Sequence, residues 1–493
     1  MPLSGGRLAF FLLGLLTLSG CIGGGTEVMN QPLSPTLLRG DGPISEGGYR
    51  AGALAQNRST STLVLLSFSG GGKRSAAFGY GVLRGMRDYP VRIDGQQRRL
   101  LDEIDMMSSV SGGSFPAAYY GLYHDKIFDN FESDFLNRDI EAYIYGSYLL
   151  PWRFAKALFN PNYGTNDRMA EVYDKLMFHG ATFADLQHAG RPLISINATD
   201  VDTGLEFQFV QDQFDLICSD ILTYPVSRAV AASNGFPILF NPITLKSYRP
   251  QCKGRVPAWI RADEGKGDPL SRAHQLAEGH RIYLDADRTR YVHLLDGGIA
   301  DNLAMRGVIN MSMVLSGDIE DLGGRFNISS IRRIIVISAD GQAENDTATS
   351  KQIHLTGLGQ LFNVVSGTQI DRYNFETMVL TRQQLDILRN AIRKERCASG
   401  PVAADGYPCD DVQVFLAHLS LAGIADKAER ERLAKIPTGL TIDAPDIALL
   451  VAAGENQVRQ SPELAAFRDS LTSPPSRSPG PVSLPPRREA SAP

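Results

Sequence analysis

Met106-Met107-Ser108-Ser109-Val110-Ser111-Gly112-Gly113-Ser114 is the stretch whose reading decides the rest of this chain. Residues 101–107 lead into a turn of hydroxyls and glycines, and a helix rich in Ala and Tyr begins at Phe115. A strand that turns sharply into a helix crowds the residues around the turn, so only small side chains fit two positions before and after its apex. Ser111 has Ser109 and Gly113 there, whereas Ser114 would place Pro116 and Ser109 would place Met107 at those positions. Ser111 is therefore the candidate nucleophile and Ser109 and Gly113 the flanks of its elbow. A Gly/Ser loop without chemistry is the competing reading, and the motif alone does not choose between them.

Upstream, the nearly continuous apolar run Thr62-Leu63-Val64-Leu65-Leu66-Ser67-Phe68 reads as a buried parallel strand. Ser69-Gly70-Gly71-Gly72-Lys73-Arg74 follows it, and 76–86 has helical spacing. Strand, glycine turn and helix N-terminus together present bare backbone N–H groups to an anion. A Walker A loop would need Gly at 67 and Ser or Thr at 74, where Ser67 and Arg74 stand; a dinucleotide fingerprint would need Gly at 75, where Ser75 stands. An oxyanion hole survives this test, because a tetrahedral intermediate has one negative oxygen that such N–H groups stabilise. Ser69, between Ser67 and Gly71, is a rival nucleophile, and a plain tight turn is the alternative for the whole loop.

Downstream, 192–198 and 205–210 read as strands around the turn Asp200-Val201-Asp202-Thr203-Gly204, whose aspartates are turn residues before they are metal ligands. Residues 126–190 carry helical spacing without evident chemistry, and 226–233 is a helix of small residues. Tyr291-Val292-His293-Leu294-Leu295 is a strand candidate ending in Asp296-Gly297-Gly298, and 332–339 is another buried strand.

Glycine turn, serine elbow and Asp-Gly-Gly, in that order over roughly residues 60–345, resemble the patatin-like phospholipase family. Gly70-Gly71-Gly72-Lys73-Arg74 is similar to its Gly-Gly-Gly-x-Arg loop, Ser109-Val110-Ser111-Gly112-Gly113 to its elbow and Asp296-Gly297-Gly298 to its acid box. Ala198-Thr199-Asp200 and Ala232-Ser233 with Phe236-Pro237 are also similar. Two positions depart from the pattern: Ser109 replaces the first elbow glycine, and Ala304 stands where a proline often follows the acid box. The resemblance implies a three-layer α/β fold with a central, mostly parallel sheet. It further implies a Ser111–Asp296 dyad, an oxyanion hole from Gly70, Gly71 and Gly72, and acyl-ester hydrolysis without a cofactor. Arg74 either braces the glycine loop or faces a substrate phosphate. The expected substrate is a phospholipid, a lysophospholipid or another acyl-ester lipid.

The N-terminus reads as a targeting segment, with Arg7 before the apolar run 8–18 and Leu18-Ser19-Gly20-Cys21 at its end. It is too short for a membrane span. Leu-Ser-Gly-Cys resembles a bacterial lipobox, which implies a signal peptide over 1–20, lipidation of Cys21 and a membrane-bound chain; Ile22 in place of an aspartate favours the outer membrane. Residues 21–60 read as a lipidated tether reaching roughly 35 Å, 61–345 as the hydrolase domain, 346–472 as a mainly helical extension packing on it and 473–493 as a disordered Pro/Ser-rich tail. The full 493 residues suffice for one large α/β domain with additions or for two or three smaller ones.

Lys+Arg 49 against Asp+Glu 54 leaves a net charge of −5 without a basic cluster, which argues against nucleic acid as a partner. The four remaining cysteines permit two disulfides, most simply Cys218 with Cys252 and Cys397 with Cys409. No Cys or His cluster points to metal. A Ser-His-Asp hydrolase would need a histidine after the acid; only His354 and His418 qualify, neither at a recognisable strand end, and His293 reads as a strand residue. A non-catalytic surface lipoprotein on the same fold is the alternative of another class. No alternating strands after residue 345 suggest a C-terminal barrel.

Overall fold

A computed structural model describes residues 26–34, 48–50, 59–143, 160, 162–237, 240–252, 254–256, 260, 268–315, 328–342 and 358–472. The expected signal peptide, Cys21, His354 and the tail 473–493 lie outside them. Twelve strands occur in the described residues: β1 Gln31–Pro32, β2 Thr62–Phe68, β3 Pro90–Ile93, β4 Gln96–Arg99, β5 Ile104–Val110, β6 Leu193–Asp200, β7 Glu206–Gln208, β8 Ser219–Asp220, β9 Ile243–Lys246, β10 Tyr291–Asp296, β11 Arg333–Asp340 and β12 Gln413–Ser420.

Eight of them form one mixed sheet in the order β12-β11-β2-β5-β6-β10-β9, with β7 paired beside β6. β12, β11, β2, β5 and β6 run parallel, whereas β10 is antiparallel to β6 and β9 to β10. β2 and β11 are buried at every position, as apolar strands covered on both faces must be. Helices α1 (Gly72–Arg87) and α2 (Ser114–Tyr123) make the crossovers β2–α1–β5 and β5–α2–β6, which step the same way across the sheet and so share one face by the right-handed rule. The step from β11 through α6 (Leu358–Arg396) to β12 runs the other way and places α6 on the opposite face. Between the two crossover faces come α3 (Thr165–Tyr173), α4 (Val226–Ser233) and α5 (Gly298–Asp301) in chain order.

Two expectations need correction. Residues 346–472 are not an extension laid on a finished core, because β12 pairs with β11 from Arg333↔Gln413 to Asp340↔Ser420 and completes the same sheet. As an edge strand β12 is only partly buried, so its sequence lacks the continuous apolar run that marks β2. Helix α7 (Ala444–Gln460) lies so close along α1 that a Cβ on Gly81 would fall 2.1 Å from the Val451 carbonyl oxygen. A boundary at 345 therefore divides one folded body.

The described part of 21–60 is likewise not a free tether. The Thr26 hydroxyl donates to the Pro242 carbonyl at 2.9 Å and accepts the Thr244 N–H at 2.7 Å; Asn30 bonds Ser219 and both backbone groups of Lys246; β1 pairs with β8. Leu33 packs on the Cys218–Cys252 disulfide, and the Tyr49 hydroxyl, fully buried, exchanges hydrogen bonds with the Ile194 backbone. Polar bonds to backbone and isolated apolar anchors leave no periodicity, which is why this strap reads as loop in sequence. Cys397 and Cys409 form the second disulfide.

Candidate active site

Ser111 ends β5 with φ 49, in the left-handed region that a side chain makes costly. The strain is held by close packing. A Cβ on Gly112 would lie 1.9 Å from the Gly72 carbonyl oxygen, so the elbow and the glycine loop touch backbone to backbone. Ser109 is fully buried and its hydroxyl donates to the Ser195 carbonyl at 3.3 Å, so the departure from glycine is accommodated by a neighbouring strand.

β10 brings Asp296 to the same point. Its Oδ2 accepts the Ser111 hydroxyl at 2.9 Å, and its Oδ1 accepts the Gly298 N–H at 2.8 Å. Burial pushes this carboxyl up to about 6, against the opposing pull of those two hydrogen bonds. Gly297 allows the approach, since a Cβ there would sit 2.2 Å from Val110 Cγ2 and 2.3 Å from the Asn197 carbonyl oxygen.

The third contributor is the end of α4, a small-residue helix whose Ala232-Ser233 the resemblance singled out without assigning it a role. Ser233 Oγ accepts the Ser111 N–H at 2.8 Å and donates to the Asn197 carbonyl at 2.6 Å; Asn234 Oδ1 lies 3.1 Å from the Ser111 hydroxyl. The polar pair Ser233-Asn234 closing an apolar helix was the signal available.

The glycine loop corrects one expected role. The Gly70 N–H donates to the Asn302 carbonyl at 2.9 Å and is not an open donor. Gly71, at φ 131, and Gly72, at φ 58, have amides without an acceptor among the described residues, at the start of α1 where intrahelical acceptors are lacking. The next amide, of Lys73, is closed by the Gly439 carbonyl at 3.1 Å. The rival Ser69 is fully buried; its Oγ accepts the Gly341 N–H at 3.0 Å and meets no carboxylate among the described residues.

Arg74 is buried with Nε donating to the Gly341 carbonyl and Nη1 to the Ile436 carbonyl, each at 2.9 Å. It ties the glycine loop to the end of β11 and to the chain after β12, the bracing geometry of the two considered. Ala304 has φ 54, which a proline ring, held near −65°, cannot adopt. Of the histidines considered, the described two lie elsewhere: His418 Nε2 is 3.3 Å from Asp340 and His293 Nδ1 2.8 Å from Asp202. Among the described residues the Ser111 hydroxyl meets only Asp296 and Asn234. Asp200 accepts the Asp202 N–H and the Thr203 and Tyr283 hydroxyls, a turn carboxylate, and no three metal-ligating side chains cluster in the described residues.

Residues 66–309 match the family model of patatin-like phospholipases. The matched span includes the glycine loop, the Ser111 elbow and the Asp296 box, and it ends before β11 and β12. No curated protein matches the chain. Seven solved chains match the structure of this chain, among them human GIVD cytosolic phospholipase A2, at 12% identity and a TM-score of 0.43. That match covers 86% of this chain and 65% of the human enzyme, so this chain spans just under two thirds of its relative's length.

Proposed function

We propose that this protein is a membrane-anchored serine acyl hydrolase of phospholipase A or lysophospholipase type, in which Ser111 is the nucleophile and Asp296 its base. The observation that carries the reading is a strained serine whose hydroxyl lies 2.9 Å from a buried carboxylate with a pKa of about 6, within the span of a patatin-like phospholipase domain. In the reaction the Ser111 O–H bond breaks, its proton passes to Asp296 Oδ2 and Oγ bonds the acyl carbonyl carbon. The carbonyl oxygen becomes an oxyanion that the Gly71 and Gly72 N–H groups receive. Collapse expels the lysolipid or glycerol oxygen, which takes the proton from Asp296, and water then hydrolyses the acyl-enzyme with Asp296 again as base. Each oxyanion donor of this kind contributes on the order of 10²- to 10³-fold in rate.

Lipidation at Cys21, with an outer-membrane address, is part of the proposal. Thr26 lies five positions after Cys21, at most about 18 Å of chain. Thr26 sits on Pro242 and Thr244, and Ile243 pairs with Leu294, two residues before Asp296. An anchored body would therefore keep the strand that bears the base close to lipid.

The test is fatty-acid release from phospholipids, lysophospholipids and short p-nitrophenyl esters by the mature chain, beside Ser111→Ala and Asp296→Asn. Loss of more than about 10³-fold in both, with each variant still folding cooperatively by thermal melting, is expected. A wild-type chain inert on every substrate, with detergent or vesicles present, would favour a non-catalytic role for the fold.

A further inference from the structure

Two buried groups touch the Ser111 hydroxyl, Asp296 Oδ2 at 2.9 Å and Asn234 Oδ1 at 3.1 Å. Asn234 caps the C-terminus of α4, and its Nδ2 lies 3.0 Å from the hydroxyl of Tyr173 at the end of α3. Tyr173 is fully buried, edge-on to Phe115 with ring centroids 4.8 Å apart. Burial holds its phenol well above the usual range, so it keeps its proton.

Counting protons exposes a conflict in this arrangement. With the amide oxygen toward Ser111, one hydroxyl proton faces two acceptors. Tyr173 meanwhile has a proton to give and, among the described residues, no partner except Asn234, whose Nδ2 is itself a donor. A half turn of the carboxamide exchanges two atoms of nearly equal size at 3.0 and 3.1 Å and removes both conflicts.

Resting on the Ser111–Asp296 reading above, we infer that Asn234 is a further catalytic residue, donating an Nδ2 hydrogen bond to Ser111 Oγ. The relay then runs in one direction. Tyr173 O–H donates to Asn234 Oδ1, Asn234 Nδ2–H to Ser111 Oγ, Ser111 O–H to Asp296 Oδ2 and Gly298 N–H to Asp296 Oδ1. Every proton has one acceptor, and the Ser111 proton is turned onto the base. When it leaves, Oγ gains electron density while it attacks the carbonyl carbon, and the Asn234 N–H already points at that oxygen. Such a donor acts more strongly on the charge that develops than on the resting hydroxyl, which is the condition for accelerating the step.

The experiment measures the rate at which a fluorophosphonate ester inactivates the full mature chain, Ser111→Ala, Asn234→Ala and Asn234→Asp, each first checked by thermal melting. The wild type should react and S111A should not. N234A should react about 10- to 100-fold more slowly. N234D should be slower again at pH 8, by about fivefold or more, because a carboxylate replaces the donor with an acceptor and adds a like charge beside Asp296. An amide oxygen facing Ser111 predicts the reverse order, since aspartate would supply the same acceptor. N234D matching or exceeding N234A, or N234A at the wild-type rate, overturns the inference. Where a substitution at 234 unfolds the chain, the side-chain amide resonances of ¹⁵N-asparagine-labelled protein decide. An amide that shifts in S111A and stays in Tyr173→Phe supports donation to Ser111, and the opposite pattern overturns it. A wild-type chain that the probe does not label at all sinks the dyad reading itself, a result distinct from both.

Discussion

Asp296 carries two opposed demands. As the proposed base it must be ionised, yet burial favours its neutral form and pushes its pKa from the ordinary carboxylate range up to about 6. Hydrolysis should therefore fall as pH drops through 6, which a pH–rate profile of kcat/KM on a neutral ester measures. The stability consequence has the opposite sign to that of a salt-bridged carboxylate. Between about pH 4 and 6 the folded state holds a proton that the unfolded state has lost, so stability declines as pH rises through that window. Asp296→Asn should thus be inactive but more stable than the wild type at pH 8, by about 1–3 kcal/mol, with the gain vanishing near pH 4. Denaturant unfolding at the two pH values checks it. An equal stability of both chains at pH 8 would mean that the carboxylate is better solvated than its burial implies.

At the scale of elements, the site is a meeting of four termini: the end of β2 with its glycine loop, the end of β5, the end of β10 and the end of α4. The ordered motifs made the first three legible, because each needs small residues where backbones touch, and Gly72 against Gly112 is such a contact. α4 was legible as a closely packing helix ending in a segment similar to the family's, but nothing in its composition says that Ser233 and Asn234 reach the elbow. Gly70 was misassigned for a similar reason, since its N–H is consumed by Asn302, more than two hundred residues away. Arg74 makes its two bonds to carbonyls of 341 and 436, so Arg74→Lys, which cannot span both, should destabilise by about 2 kcal/mol. It should also lower kcat/KM by the same factor for phospholipids and p-nitrophenyl esters. A loss confined to phospholipids would reveal a phosphate contact instead.

At the scale of the molecule, the sheet does not end where the family match ends. A chain stopped at residue 410 loses β12, α7, the Lys73 N–H bond to Gly439 and the Arg74 bond to Ile436, and it exposes β11 along eight residues. It should be insoluble or molten, whereas one stopped at 472 keeps every described contact and should melt with the full mature chain; sedimentation and thermal melting distinguish them. Reduction of the two disulfides should lower the melting temperature, since the 12-residue loop from Cys397 to Cys409 alone is of a length worth about 3 kcal/mol. A melt unchanged by reductant would show that the packing around Cys218 and Cys409 suffices without the covalent links.

By itself the sequence determined the tight turn at Ser111, the strand ending in Asp296-Gly297-Gly298, the glycine turn and the α/β alternation, because each is a local rule. Small residues are needed where chain meets chain, apolar runs where a strand is covered on both faces, and hydroxyl or carboxylate where a proton must move. Tertiary structure alone decided which amides remain open, that residues 26–34 are strapped to the body, that β12 completes the sheet and that Asn234 stands against Ser111. Those outcomes depend on hydrogen-bond partners far apart in the chain, and no local periodicity records a partner that arrives from a hundred residues away.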